Sequence, residues 1–369
     1  MSFVNKPLTD IMDCTRASTA TYVDATGRIR TAGVNEPRVD YSSGQGRLLV
    51  EEARTNLVTW SEDFSQSAWG ILDDTEIVSV FQESGVMVHR FRLPTGSNNR
   101  RVRQDFALDP SSVITMSAKV RLIEGDLDSL RLTIPSSNDS ASVVIPIDEY
   151  GKWTTLLRST TVTEINNSIS FLRRTSSEGP DVIVDIMTPQ LEVGSTPSSY
   201  IPTEASAVTR AADNVSRVLG DEFNPSEGTI VIDMLHSPNF AGLIKISDAL
   251  TLADGLVIES LSSGTVRVRS RDSAGDYNEI IVGSVPIGSR FRVAVSYRSG
   301  EFLEGSLNGG EVISTSVAFE FEGSENLYLG NGGLDGSNRD ARYLNNGIVL
   351  VKLMPRKVSS QELIQLTKV

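Results

Sequence analysis

Through most of the chain, short apolar runs alternate with clusters of Gly, Pro, Asn, Asp and Ser, and helical spacing of apolar residues is almost absent. That texture predicts an all-β protein. Between residues 56 and 203 the strand-like segments include "TEIVSVF", "VMVHRFRL", "RRVRQDFAL", "SVITMSAKVRL", "KWTTLLRSTTV" and "DVIVDIMTPQLEV". In "ITMSAKVRL", strict alternation puts Ile114, Met116, Ala118, Val120 and Leu122 on one face. The same rule turns Val182, Val184 and Ile186 inward and Ile183 to the opposite face, so that second face is not uniformly polar and something is expected to cover part of it. The predicted architecture for 56–203 is an antiparallel sandwich of the jelly-roll type.

Residues 223–369 repeat the β-rich pattern with different spacing, from "GTIVIDMLH" through "SRFRVAVSYRSG" to "NNGIVLVKLMPRKV". Hairpin turns are expected at Ser299–Glu301 and Asn308–Gly310, and a second two-sheet sandwich follows. One helix is predicted, over "SSQELIQLTK", with Ser359 or Ser360 as N-cap and Leu363 and Leu366 on one apolar face. Residues 204–222 read as a connector. Residues 1–55 contain few apolar runs; "DATGR" between "ATYV" and "RIRTA" predicts a hairpin, and the rest lacks enough apolar surface to offset its own ordering entropy. The expectation is that this segment gains its burial from other chains, as an attachment and oligomer-forming module. "TRA" occurs at Thr15–Ala17 and again at Thr209–Ala211, which suggests a similar docking role at the second domain junction.

Composition narrows the function. The net charge of −13 argues against a nucleic-acid partner, since such binding rests on Lys and Arg contacts to phosphates. A local exception is "RFRLPTGSNNRRVRQ", which gathers Arg90, Arg92, Arg100, Arg101 and Arg103 and admits two readings, a solvated strand pair or an anion site. No apolar run approaches the ~20 residues needed to cross a bilayer, and no secretion signal is read at the N-terminus. With a single cysteine, Cys14, and two histidines, His89 and His236, a disulfide framework and a Cys/His metal site are both disfavoured. Gly-x-Ser-x-Gly and dinucleotide fingerprints are missing, and paired carboxylates such as Asp73–Asp74 and Glu51–Glu52 are too common in an acidic chain to indicate glycoside cleavage. The chain is therefore expected to be no enzyme, with no catalytic residues, no cofactor and no bound metal.

Several blocks then carry a resemblance. "TRASTATYVDATG", "NEPRVDY" and "EEARTNLVTWSEDFSQSAW", followed much later by "QLEVGSTPSSYIPTEASAVTRAAD", resemble in order and spacing a family of bacteriophage tail-associated and tail-fibre proteins, over residues 15–69 and 190–213. The resemblance implies a virion protein made in the host cytoplasm: a tail fibre or receptor-binding protein whose 56–203 domain is like the jelly-roll carbohydrate-binding modules. Residues 223–369 look like a concanavalin A-like, laminin-G-like sandwich. It further implies a homo-oligomer, a trimer, with other tail or baseplate proteins and host surface polysaccharide as partners. A purely structural virion part, such as a baseplate, collar or head-decoration protein, is the alternative. Cys14 departs from the aromatic or apolar residue expected before "TRAST".

Sugar sites combine aromatic platforms with planar polar groups. Trp69 and Trp153 read as core or hinge packing and Tyr200 as a pin for the domain's last strand, which leaves Trp60 as the aromatic ligand candidate. In the second sandwich, Asn331, Asp335, Asn338 and Asp340 lie on the glycine-rich stretch "GNGGLDGSNRDARY", which reads as a solvated connection or as a loop whose oxygens contact a saccharide or calcium, although the spacing does not fit an EF-hand loop.

Overall fold

The computed structural model describes residues 8–96, 100–127, 130–133, 143–163, 165–173, 179–236, 241–247, 255–271, 277–317, 320–321, 325–330 and 343–369. Its strands form antiparallel sheets throughout, and the all-β class with two sandwiches stands. Two compact units divide the chain. One holds the N-terminal stretch through Thr26, Thr31–Ala53 and Ala211–Val369; the other holds Gly27–Arg30 and Arg54–Arg210.

The central unit packs one five-stranded sheet on another. The first runs Thr154–Thr161, Val113–Glu124, Val182–Val193, Val86–Leu93, Glu76–Glu83, and the second Val143–Val144, Leu130–Thr133, Asn166–Arg173, Arg101–Ala107, Gly70–Leu72. The alternation in the sequence sets the core: Ile114, Met116, Ala118, Val120 and Leu122 are all buried, as are Val182, Val184 and Ile186. Ile183 is half-buried on the other face, where Val86, Val88 and Met187 form a small second cluster with Ile29, Phe81, Trp153 and Tyr200. The expected cover for that face is thus supplied in part by residues 27–30. The Ile29 amide donates to the Ser84 carbonyl at 2.8 Å, and the Ile29 carbonyl lies where a side chain on Gly85 (φ 87°) would meet it at 2.3 Å. Gly85 has to be glycine on both counts.

The C-terminal unit has two seven-stranded sheets. One runs Asp13–Thr15, Asn214–Val218, Asn326–Leu329, Ala241–Ser247, Gly255–Ser260, Thr265–Arg271, Tyr277–Ser284; the other runs Ile313–Ser316, Phe302–Leu307, Arg290–Arg298, Glu227–Leu235, Asn346–Met354, Arg47–Val50, Val39–Asp40. The predicted helix forms at Ser360–Leu366, capped by the Ser359 hydroxyl accepting from the Glu362 amide, and buries Leu363 against Val231, Ala294, Met354 and Val358.

The leading segment departs from expectation. Its strands complete both sheets of the C-terminal sandwich of its own chain, and Met12, Leu48 and Val50 enter that sandwich's core. Cys14 is half-buried against the same core, behaving as a small apolar residue. The burial that the segment cannot supply alone comes from strands some 200 to 300 residues further along, paired as Thr15 with Asn214 and Leu49 with Gly347. Much of the burial expected from other chains is thus supplied within its own chain. The 204–222 connector is likewise absorbed: Val208–Arg210 pairs with Arg54–Asn56 in the central unit, while Asn214–Val218 is a strand of the C-terminal one.

Candidate functional site

The blocks that carry the family resemblance converge in space. Asp213, buried, accepts from Arg16 Nη1 at 2.8 Å and from Arg38, and its Oδ2 also takes the Glu51 amide at 2.9 Å. Arg38 pairs in addition with Glu51 at 2.9 Å. Other guanidinium hydrogens go to backbone: Arg16 to the carbonyls of Ser18, Gly33 and Glu36, and Arg38 to that of Thr21, while Arg38 Nε is buried and makes no hydrogen bond to a described residue. Four side chains drawn from "TRAST", "NEPRVDY", "EEART" and "TRAAD" form one water-excluded ion cluster. Burial alone pulls the Arg38 pKa down, yet Glu51 and Asp213 outweigh it and hold the guanidinium above its ordinary value.

A second convergence, made of neutral groups, closes the central unit. Asn56 Oδ1 accepts from the amides of Val58 and Leu191, both at 3.1 Å, and its Nδ2 donates to the Ile201 carbonyl at 2.8 Å. Gln190 Oε1 accepts from the Ile201 amide at 2.7 Å, and Ser61 and Thr203 exchange hydrogen bonds through their hydroxyls and amides. Tyr200 bonds the Ser61 hydroxyl at 2.7 Å, in line with its expected pinning role. Burial pushes the Tyr200 phenol and the neighbouring Glu62 carboxyl above their ordinary values. The "TRA" echo belongs to these ties: Thr209 bonds Thr55 at 2.8 Å, and Arg16 and Arg210 are both buried. Both copies bind within their own chain.

Among the tryptophans, Trp60 is no open platform. It sits at φ 53°, half-buried against the central core, with its amide donating to the Glu204 carbonyl at 2.7 Å and its carbonyl accepting from Trp69 Nε1 at 3.0 Å. Trp69 stacks on Phe64 with centroids 4.3 Å apart. Trp153 donates to Glu83 at 2.7 Å while the Arg121 guanidinium lies 4.3 Å from its ring. Arg121 and Arg90 both bond the fully buried Asp185, so these two guanidinium groups are held within the face. Asn331, Asp335, Asn338 and Asp340 lie outside the described residues.

The arginine stretch divides between the two sheets. Arg90 and Arg92 stand on the first, paired with Asp185 and with Glu76 and Asp181; Arg101 and Arg103 stand on the second. There, a groove of about 460 Å³ opens along Gly70–Leu72 and Arg101–Ala107. Its apolar wall is Leu57, Leu72 and Phe106, and its polar wall includes Thr59, Arg103 and Asp105. Arg103 Nε donates to Asp105 two residues along the same strand, at 2.5 Å; Arg103 is half-buried and Asp105 exposed. Beneath them Gln104 is buried, exchanging hydrogen bonds with the Thr59 backbone at 2.8 and 3.0 Å, which fixes the groove floor. An apolar wall facing a guanidinium–carboxylate pair suits a sugar ring, with its C–H face and its rim of hydroxyls. Sequence reasoning had the signal for this site in "RRVRQDF", whose alternation puts Arg101, Arg103 and Asp105 on one face, but lacked the neighbouring loop that walls it. Among the described residues no group of acidic, histidine or cysteine side chains is arranged to hold a metal ion.

No protein-family model matches the chain, and no curated protein matches it. Solved structures with some likeness include the carbohydrate-binding module of the Ruminococcus gnavus IT-sialidase bound to α2,3-sialyllactose (20% identity, 39% of this chain and 84% of that one, TM-score 0.33). Others are the heptameric SAP-like pentraxin of Limulus polyphemus (10% identity, 38% and 68%, TM-score 0.31) and the binding domain of Paraclostridial Mosquitocidal Protein 1 (14% identity, 42% and 43%, TM-score 0.31). Scores of this size carry no argument about fold or ligand, and the sandwich assignment rests on the sheets themselves.

Proposed function

We propose that the protein is a bacteriophage virion component, a tail fibre or receptor-binding protein, that holds host-surface polysaccharide in the groove of its central sandwich and does not cleave it. The observation that carries the reading is the juxtaposition in that groove of the Leu57, Leu72 and Phe106 wall with the Arg103–Asp105 pair. The ordered sequence blocks support the phage origin. In this reading the protein acts as a homo-oligomer, a trimer, docked on other tail or baseplate proteins. A glycan array probed with the full chain tests it. Binding to a host polysaccharide, lost in the double variant Arg103→Ala/Asp105→Ala, is the expected result.

A second reading, a structural virion part that only packs, draws on a specific observation: the blocks shared with tail proteins are spent on internal ties around Asp213 and Asn56. Silence of the wild-type chain across the host's own polysaccharides would favour it.

A further inference from the structure

The strand register of the groove-bearing sheet lays out its outward face residue by residue. One row across the strands reads Val144, Arg131, Leu172, Arg101, Leu72. Two positions along each strand, the next row on the same side reads Thr133 and Ser170, both buried, then Arg103 and Gly70. The row between them, Leu132, Phe171, Val102, Ile71, points the other way, and Leu132, Phe171 and Val102 are buried in the core. Arg101 and Arg131 thus flank Leu172 at two strand spacings, about 10 Å, and Arg103 follows Arg101 at about 7 Å along one strand.

Two groups on this face lack partners. The Arg101 side chain makes no hydrogen bond or ion pair with any described residue, although its Nε is shut off from water. The Ser170 hydroxyl is fully buried, faces between Thr133 and Arg103, and is also without a partner among the described residues. A guanidinium half-removed from water with no counter-charge among the described residues, in a chain of net charge −13, is costly unless an anion visits it. Among the described residues Arg103 has only the exposed Asp105 to hold it, a pair that surface exposure makes weak and easily exchanged.

Resting on the glycan reading above, we infer that this face takes an acidic polysaccharide, whose carboxylate or phosphate group is received by Arg101 and Arg103 while Leu72 and Leu172 meet the C–H faces of its sugar rings. The protein's overall negative charge favours a chain with widely spaced anions over one carrying a phosphate at every unit, which separates a polysaccharide from a nucleic acid.

The test uses the full chain in titration calorimetry against four probes: a uronate-bearing polysaccharide, a phosphate-bearing polysaccharide, neutral dextran and single-stranded DNA. Binding to one or both acidic polysaccharides is expected, weakening as salt is raised, and the arm that binds tells carboxylate from phosphate. Arg101→Ala should weaken that binding about tenfold or more, with Arg101→Lys keeping part of it. Its melting temperature should not fall, because the side chain makes no hydrogen bond or ion pair with a described residue to lose and its unpaired guanidinium is itself costly. Binding of dextran as tightly as the acidic chains, indifferent to Arg101→Ala, would overturn the acidic specificity and leave glycan attachment standing. Failure to bind any polysaccharide would remove both, and Arg101-dependent binding of DNA in preference to the sugars would make this a phosphate-backbone site instead.

Discussion

The C-terminal and central sandwiches are each closed by residues far apart in sequence, but with different chemistry. The first is tied by a buried ion cluster, Arg16, Arg38, Glu51 and Asp213; the second by amides and hydroxyls, Asn56, Gln190, Ser61, Thr203 and Tyr200. The difference sets how each tolerates damage. A buried charge that loses its partner keeps its full desolvation cost, about 3–5 kcal/mol, whereas a buried neutral donor or acceptor left alone costs about 1–3 kcal/mol. It also sets what each closure specifies. The ion cluster ties the leading segment to one place, because Arg16 and Arg38 both close on the buried Asp213.

The largest effect should follow deletion of residues 1–53. The C-terminal core would lose Met12, Leu48 and Val50, and at ~1.5–3 kcal/mol for each buried side chain the loss is comparable with the whole stability of a domain. Asp213 would also be left buried without either arginine. Limited proteolysis should then digest residues 211–369 well before a fragment close to 54–210, which loses only the Ile29 cover of its second face. A protease-resistant 211–369 piece from the shortened chain would show that the leading segment is dispensable and the comparison misconceived.

Next in size is Asp213→Ala, which strands Arg16 and Arg38 together. About 3–5 kcal/mol should be lost, and only from the C-terminal unit. The three tryptophans, Trp60, Trp69 and Trp153, all lie in the central unit, so tryptophan fluorescence reports that unit alone. Its transition should not move in this variant, while the transition followed by far-ultraviolet dichroism gains an earlier phase. Asn56→Ala should do the reverse: about 1–3 kcal/mol lost from the central unit, visible in tryptophan fluorescence. Equal shifts of both signals in either variant would mean the two closures are not independent.

Much of this was legible beforehand, and the limits follow one physical line. Alternation within a strand is local, so the faces of Val113–Glu124 and Val182–Val193, the Ser359 cap and the Leu363 face could be read directly. Pairing between strands is not local. Nothing in "TRAST" announces that Arg16 will meet a carboxylate 197 residues away, so a segment poor in apolar residues looked dependent on other chains. The "RRVRQ" stretch shows the same limit. Its period-two pattern put Arg101 and Arg103 on one side, but assigning Arg90 and Arg92 to the opposite sheet required the long-range register. Trp60 looked available because its neighbours are small and polar, and its left-handed turn, tied to Glu204, was invisible.

The smallest expected effect is in acid, and it separates the sandwiches by their titrating groups. Burial holds His89 in the central unit and His236 in the C-terminal unit below the ordinary imidazole value of 6.5. The unfolded chain therefore takes up these protons first, and each unit loses stability as pH falls through 6.5 toward the depressed folded value. In the central unit, burial also raises Glu62 and Glu192 above 4.5, against the hydrogen bonds from Met87 and Tyr200 to the first and from Ser198 and Gln190 to the second. Their contribution has the opposite sign: it is complete below 4.5 and is lost as pH rises through the folded values. In the C-terminal unit, burial pushes Asp233 up, but Arg290 and Arg292 more than offset it and hold its pKa below 3.8, so its contribution is present above 3.8 and lost in stronger acid. Asp63 and Asp181 are also lowered, by hydrogen bonds chiefly from Ser65 and from the Thr95 amide, but both are only partly buried and screening leaves them little weight. The tryptophan-reported melting temperature should thus drop by a few degrees below pH 6.5, since ~1 kcal/mol moves a domain of this size by about that much, and then level or recover toward 4.5. Glu62→Gln or Glu192→Gln should blunt that recovery. The C-terminal transition should show the first drop without the recovery and fall again below 3.8; a central unit that declines steadily from pH 7 to 4.5 would show that its buried carboxyls are ionised and paired, and that the two sandwiches answer acid alike.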